Sequence, residues 1–226
     1  MRPRERRHNQ GVFISGATGS GKSRMAERIA QAWPRVIAID PTYSFSYSDR
    51  IEKAESVKVL AKLWNEPRYR VAVTLSDDAA YLRLLSAIFE IAAIRDSDFC
   101  LVIDEIDLWS SPAKIAPSLS RILRYGRHYG INWVAVCRAD VQTNRDVRMN
   151  ATEVILFRQG MLSAEMRRLL ESSFRLRAEP VPDVARLVKW DTPGPPEEGR
   201  HYVAVPDPWA DWWPTWAALA RRGQGH

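Results

Sequence analysis

Short, unbroken runs of apolar residues alternate with longer segments of helical periodicity along most of this chain. The apolar runs lie at residues 12–14, 36–39, 69–75, 99–103, 133–137 and 154–157. Helical patterns occupy residues 22–33, 56–64, 77–94, 113–128 and 163–174. Unbroken apolar runs are typical of parallel strands that are covered on both faces. Their alternation with helices predicts an α/β fold with a mainly parallel sheet flanked by helices.

Both ends of the chain differ in character from this central region, which we assign to one domain over residues 11–191. Residues 1–10 carry four arginines, one glutamate and no apolar pattern, which indicates a short basic arm. Residues 192–226 form an appendage with a proline- and glycine-rich loop (192–199), a short strand (201–205) and a tryptophan-rich tail. Tryptophans 209, 212, 213 and 216 recur at helical spacing, although Pro214 interrupts it, and we expect them to pack on this domain, a neighbouring subunit or a partner.

Composition narrows the class of protein. Of the 226 residues, 46% are hydrophobic and 27% charged, as expected of a globular chain with a sizeable core. We expect no signal peptide and no transmembrane segment, because no apolar stretch reaches the roughly 18 residues that a span needs. The net charge of +6 permits a polyanionic partner without requiring one. Cys100 and Cys137 lie inside apolar runs, which predicts two buried thiols.

A glycine-rich segment after the first apolar run matches the phosphate-loop pattern G-x-x-x-x-G-K-[ST]. The predicted nucleotide-binding residues are Gly16, Ala17, Thr18, Gly19, Ser20, Gly21, Lys22, Ser23 and Arg24. The glycines let the backbone approach phosphate oxygens, and the helix that follows directs N–H groups at them. Lys22 is predicted to reach the β- and γ-phosphates, and the Ser23 hydroxyl to bind Mg²⁺. This strand–loop–helix context predicts a site for ATP with Mg²⁺.

Two carboxylates, Asp104 and Glu105, follow the apolar run at 99–103. In an open parallel sheet, ligands bind where the strands end, so this position is the expected one for a catalytic pair. Asp104 is predicted to hold Mg²⁺, and Glu105 to act as the base that orients and polarises the attacking water. Alone, the pair could equally consist of solvated loop residues. Together with the phosphate loop it favours hydrolysis over transfer to another acceptor, since a kinase needs no base for water.

Two further tracts carry a family resemblance. Residues 127–138 read RHYGINWVAVCR, and residues 146–157 read DVRMNATEVILF. They resemble the R-H-x-G and R-x-N-A tracts, each leading into an apolar strand, of the FtsK–HerA superfamily of DNA-pumping ATPases. With its length, the chain is similar to the genome-packaging ATPases of tailless viruses that contain an internal membrane. The resemblance extends over about residues 11–175.

This resemblance implies a RecA-like fold and a homo-oligomeric ring of five or six subunits, with ATP between subunits and double-stranded DNA in the central channel. It implies an ATP-hydrolysing motor that packages viral DNA in the host cytoplasm, at the packaging vertex of the virion. Capsid vertex or membrane-associated portal proteins are the expected partners of the tail. Two alternatives stay open: an assembly ATPase that acts on protein, as in filamentous phages, and a P-loop kinase. The filamentous-phage enzymes usually carry a membrane span.

The resemblance also assigns roles to individual residues. Arg127 matches a family arginine that could act in a neighbouring subunit's site, although Arg121, Arg124 and Arg127 could equally form a solvated helix face. Arg138 stands where the family usually has a γ-phosphate-sensing glutamine, so that role carries over only if a charged side chain can replace the amide. Arg145 and Arg148 are candidates for a DNA path or for plain surface charge. Asp40, in the family's Asp-Pro turn, is expected to cap a helix or contact nucleotide.

Overall fold

The computed structural model describes residues 10–47, 49–52, 58, 60–61, 64–95, 98–157, 164, 166–168, 184–190 and 201–205. Its strands are β1 (Gly11–Ser15), β2 (Arg35–Ile39), β3 (Asp49–Ile51), β4 (Tyr69–Val73), β5 (Phe99–Ile103), β6 (Ile131–Cys137), β7 (Glu153–Phe157), β8 (Val184–Trp190) and β9 (His201–Val205). Its helices of six or more residues are α1 (Lys22–Ala30), α2 (Asp78–Ile94), α3 (Pro117–Tyr125) and α4 (Arg145–Asn150).

All of these strands join one sheet, in the order β3-β4-β2-β5-β6-β1-β7-β8-β9. Every pairing among β1 to β7 is parallel, whereas β8 and β9 add on in antiparallel fashion. Strand β6 lies between β1 and β5, the arrangement of the RecA-like fold. The predicted α/β architecture with a mainly parallel sheet is confirmed.

Alternate residues of the central strands supply two separate cores, one on each face of the sheet. Phe13 packs into a cluster with the buried sides of α2 and α3, whereas Val12 and Ile14 pack into a cluster with α1. This follows from the period of two in a strand, which sends successive side chains to opposite faces. Because both faces are covered, the central strands are mostly apolar, with buried polar exceptions such as Ser15, Asn132 and Glu153. The two cysteines are buried and free as predicted.

Helix boundaries differ from the sequence prediction for local reasons. Helix α1 ends at Ala30 rather than at residue 33, because the chain tightens there: the N–H groups of Ala32 and Trp33 donate to the carbonyl oxygens three residues earlier, both at 3.1 Å. Helix α3 begins at Pro117 rather than at 113, since a bridge between Ser110 and Ile115 shapes the preceding loop. Most of the predicted helices at 56–64 and 163–174 lies outside the described residues.

Several elements escaped the sequence prediction because they lack an apolar run or period. They are β3, the short helix α4, β8 and the 3-10 turn Ile106–Leu108. The predicted strand at 201–205 is present as β9 and pairs with β8. The basic arm up to residue 9, the loop at 192–199 and the tryptophan-rich tail lie outside the described residues, so the domain limits stay a prediction. No helix among the described residues is long and apolar enough to span a membrane.

Candidate nucleotide-binding and catalytic site

The phosphate loop connects β1 to α1 at the edge where the parallel strands end. Gly19 and Gly21 have φ angles of 78° and 95°, a left-handed backbone that favours glycine. Gly16 is required for a different reason: a Cβ atom there would lie 2.5 Å from the Cβ atom of Phe157, the last residue of β7. The loop is therefore shaped both by its own backbone and by the neighbouring strand.

Lys22 is the first residue of α1, and its side chain lies over the loop. Its Nζ atom donates a hydrogen bond of 2.8 Å to the carbonyl oxygen of Ala17. Burial lowers the pKa of the Lys22 ammonium below its ordinary value, and the nearby carboxylate of Asp104 opposes this effect. Ser23 is half-buried in the next position, whereas Arg24 is exposed. The loop thus places one ammonium and one hydroxyl beside its N–H groups.

Asp104 follows β5 and is buried, with 3% of its surface exposed. Its Oδ1 atom accepts a hydrogen bond of 3.1 Å from the Glu105 backbone N–H, and its Oδ2 atom accepts one of 3.3 Å from the Thr42 hydroxyl. Burial raises the pKa of Asp104 to about 6, and the carboxylates of Glu105 and Asp40 add to the rise. A carboxylate in this environment is costly to keep charged unless a cation neutralises it.

Glu105 has a left-handed backbone, with φ 51° and ψ 45°, which is uncommon for a residue other than glycine. Its carboxylate forms a bidentate ion pair with Arg138, which follows β6. The Nε atom of Arg138 donates to Oε1 at 3.1 Å, and an Nη atom lies 2.8 Å from Oε2. The structure therefore brings together two residues that the sequence placed 33 positions apart in separate motifs.

Two neighbours of the acidic pair were missed by sequence reasoning. Thr42, on the loop after β2, contacts Asp104 as described above, and no motif marks it. Asp107 lies in the turn after Glu105, and burial raises the pKa of its carboxyl group. Its Oδ1 atom is shielded from solvent and has no hydrogen-bond partner in the described part of the chain. The signal for Asp107 was available as a third carboxylate in the tract Asp104-Glu105-Ile106-Asp107.

Asp40 shapes the loop that carries Thr42 and caps no helix. It is fully buried, and its two oxygens accept hydrogen bonds from the backbone N–H groups of Ser44 and Phe45, at 2.7 and 3.2 Å. Arg50 pairs with the same carboxylate at 2.9 Å. Asp40 therefore fixes a loop beside Asp104.

The oxygen donors at this edge fit Mg²⁺ in number and kind. Ser23 supplies a hydroxyl and Asp104 a carboxylate, the hard oxygen ligands that Mg²⁺ prefers. No group of three or more histidine, cysteine, aspartate or glutamate side chains that could hold a metal is found among the described residues. A Mg²⁺ ion here would therefore share its coordination with substrate phosphates and water, its usual mode beside nucleotides.

Arg127 lies at the opposite edge of the sheet. It precedes β6, and the start of that strand is marked by the hydrogen bond of 3.2 Å from Phe99 N–H to the Gly130 carbonyl oxygen. The phosphate loop follows the other end of β1, which is parallel to β6. At about 3.3 Å per residue, this separates Arg127 from its own phosphate loop by about 20 Å. Arg127 and the phosphate loop of the same chain therefore lie at opposite edges of the sheet.

Arg145 and Arg148 lie on α4, after the strand that ends at Cys137. Arg145 is exposed, whereas Arg148 is half-buried. An Nη atom of Arg148 donates to the carbonyl oxygens of Asp140 and Thr143, at 2.7 and 3.1 Å. Arg148 therefore stabilises its own loop, and DNA contact by either arginine stays a prediction.

We compared the sequence and the fold of this chain with those of known proteins. No family model matches the sequence, and no curated protein matches it. The genome packaging NTPase B204 of Sulfolobus turreted icosahedral virus 2, solved with AMP, aligns with a TM-score of 0.59 at 16% identity, over 80% of this chain and 92% of that chain. Its complex with ATP-gammaS aligns with a TM-score of 0.57 at 16% identity, over 80% and 91%.

A further crystal structure of B204, described as the DNA-packaging ATPase of Sulfolobus turreted icosahedral virus, aligns with a TM-score of 0.51 at 17% identity, over 80% of this chain and 91% of that chain. The chain has the fold of B204. The RecA-like fold expected from the FtsK–HerA resemblance is thereby confirmed.

Asp104→Asn is expected to stabilise the folded protein at neutral pH. The pKa of this carboxyl is about 6 when folded, against about 3.9 in an unfolded chain, so the folded state is penalised as pH rises through this window. Replacing the carboxyl with an amide removes the penalty, and we expect a gain on the order of 1–3 kcal/mol at pH 8 that shrinks towards pH 4. Urea unfolding at several pH values measures it.

The control for this experiment is Asp49→Asn, which changes an exposed aspartate on β3. Its free energy of unfolding should match the wild type across the same pH range. A pH-independent effect of Asp104→Asn, or a loss of stability at pH 8, would contradict the assignment of Asp104 as a buried carboxylate held at a cost.

Proposed function

We propose that this protein hydrolyses ATP and uses the energy to move double-stranded DNA, as a ring-shaped genome-packaging motor. The observation that supports this most is the meeting of the phosphate loop and the acidic pair at one edge of the sheet, in the fold of a genome-packaging NTPase. Both halves of an ATP-hydrolysing site are then present in one chain. The part of the proposal that concerns DNA is supported by the structural similarity to B204 and by the two sequence tracts that resemble the FtsK–HerA superfamily.

In this proposal the phosphate loop binds the β- and γ-phosphates through its N–H groups and Lys22. Ser23 and Asp104 hold Mg²⁺, which when bound supplies positive charge to the phosphate oxygens. The buried Asp104 carboxylate and the half-buried Lys22 ammonium act in a site partly shielded from water, where charge interactions are stronger than in bulk water. The chain's own contribution to binding is thus positioning and charge.

Glu105 supplies the base of the proposed reaction. A water oxygen attacks the γ-phosphorus, the bond from that phosphorus to the β,γ-bridging oxygen breaks, and ADP leaves with the electron pair. The proton lost by the water passes to the Glu105 carboxylate and then to solvent. The products are ADP, inorganic phosphate and a proton, so no further reactant is needed.

The ring and its partners complete the proposal. Arg127, at the edge of the sheet opposite its own phosphate loop, acts in a neighbouring subunit's site. This requires the starting edge of one sheet to face the ending edge of the next. Excess basic charge, including Arg145, attracts the DNA backbone. A capsid vertex or portal protein binds the tryptophan-rich tail, and the motor works in the host cytoplasm and at the packaging vertex.

Two substitutions separate nucleotide binding from hydrolysis. Lys22→Ala should remove most ATP binding, because it deletes the main side-chain charge facing the phosphates. Glu105→Gln should bind ATP at least as well as the wild type and lose nearly all turnover, because an amide takes no proton from water. Calorimetric titration and phosphate release measure the two effects, and Lys114→Ala, an exposed lysine elsewhere, should change neither. If Glu105→Gln hydrolysed ATP at the wild-type rate, the assignment of Glu105 as the general base would be refuted.

Arg127→Ala should leave ATP affinity nearly intact and reduce turnover by on the order of a thousandfold, the scale supplied by arginines acting between subunits. Mixed with Glu105→Gln protein, it should regain activity, because the first variant keeps its base and the second offers its arginine. The gain should depend on total protein concentration. Arg121→Ala, on the preceding helix α3, serves as the control for an exposed arginine outside the 3-10 turn of Arg127, since Arg121 lies over the Phe89 ring, and it should retain turnover. No recovery in an assembling mixture would contradict the proposed contact between subunits.

A further inference from the structure

Arg138 covers the carboxylate that the proposed reaction uses as its base. Its guanidinium donates from two nitrogens to the two oxygens of Glu105, at 3.1 and 2.8 Å, so the pair is bidentate. The Glu105 side chain is only 16% exposed, whereas that of Arg138 is 56% exposed. The arginine is therefore the outer, exposed member of the pair, and the glutamate is the inner, half-buried member.

This contact is incompatible with general-base chemistry on water at the covered edge. A base must accept a hydrogen bond of about 2.6–3.2 Å from the water that it deprotonates. A bidentate guanidinium occupies one acceptor site on each oxygen of a carboxylate with its own donors. Water can hydrogen-bond to the edge of Glu105 that Arg138 occupies only when Arg138 has moved.

Of the two partners, Arg138 is the one that can move. The backbone of Glu105 is fixed on both sides: its N–H donates to Asp104 Oδ1, and its carbonyl oxygen accepts a hydrogen bond of 2.9 Å from Leu108 N–H. Its left-handed conformation is a further constraint that the surrounding structure must maintain. Arg138, by contrast, extends an exposed and flexible side chain from the end of β6.

The place to which Arg138 can move lies next to it. Ser15 at the end of β1 pairs with Cys137 at the end of β6, so Gly16 and Arg138 leave neighbouring strand ends. The phosphate loop is thus within reach of a guanidinium, which binds phosphate oxygens by the same two-pronged geometry as carboxylate. A terminal phosphate carries more negative charge than the single carboxylate of Glu105 and competes for Arg138.

We propose that Arg138 is a positioning residue that exchanges partners: it leaves Glu105 for the γ-phosphate when ATP binds, and so uncovers the base only in the presence of a triphosphate. This inference rests on the proposed function. A diphosphate offers no γ-phosphate, and Arg138 then stays on Glu105. The family that the chain resembles usually has a neutral glutamine at this position, which could not form this ion pair. The exchange of partners therefore depends on the arginine of this chain.

The test follows the Arg138 Nε–H group by NMR of arginine side chains, assigned through Arg138→Lys. With Mg²⁺ present, the non-hydrolysable analogue AMPPCP should shift this signal, and ADP should leave it in place. In Glu105→Gln protein, the signal without nucleotide should differ from the wild type, but the AMPPCP-bound positions should coincide because the phosphate is then the partner. Arg124, whose exposed pair with Asp146 lies on α3 and α4, is the internal control and should not respond.

A second measurement guards against a purely structural role. Arg138→Ala should weaken AMPPCP binding by about tenfold and change ADP binding less than twofold, while Arg124→Ala changes neither. The inference is overturned if AMPPCP leaves the Arg138 signal in place, if its bound position depends on residue 105, or if Arg138→Ala weakens both nucleotides equally. Failure of both nucleotides to bind wild-type protein would instead refute the proposed function, and the inference with it.

Discussion

Parallel pairing of β1, β6 and β5 is the constraint on which the rest of the site depends. Parallel strands all end at the same edge, so the phosphate loop, Arg138 and the acidic pair leave the sheet side by side although they lie far apart in sequence. The pairing requires strands that are covered on both faces, and this is why each is mostly apolar. The hydrophobic core therefore does more than stabilise the fold: it sets the distances among the charged groups.

The same arrangement carries a cost at the site. Asp104 is buried with a pKa well above its ordinary range, Lys22 is half-buried with a lowered pKa, and Glu105 has a strained backbone. Each feature opposes folding, and under the proposed function each would be offset when a triphosphate and a cation bind. Such features are typical of functional sites, where stability is reduced in favour of pre-arranged charge. Asp40 and its loop help to maintain them by fixing the chain beside Asp104.

The sequence predicted those parts of the structure that depend on local residue patterns. The apolar runs predicted the central strands closely, and the glycine spacing predicted the phosphate loop. Strand β3 and helix α4 escaped because contacts from distant residues hold them, such as Asn144, which caps α4 and binds the loop at residues 111–112. The pairing of Arg138 with Glu105 was equally out of reach, since it depends on two loops meeting at one edge. Sequence identified the residues but not their contact.

Coupling of hydrolysis to DNA is the central claim, and the rate of ATP hydrolysis with and without duplex DNA tests it most directly. The full chain should hydrolyse ATP faster as duplex is added, reach a plateau, and lose the stimulation as salt is raised, because phosphate contacts release counterions. Glu105→Gln protein should show no hydrolysis in either condition. Hydrolysis that is indifferent to DNA at every concentration, or transfer of the γ-phosphate to an acceptor other than water, would contradict the account.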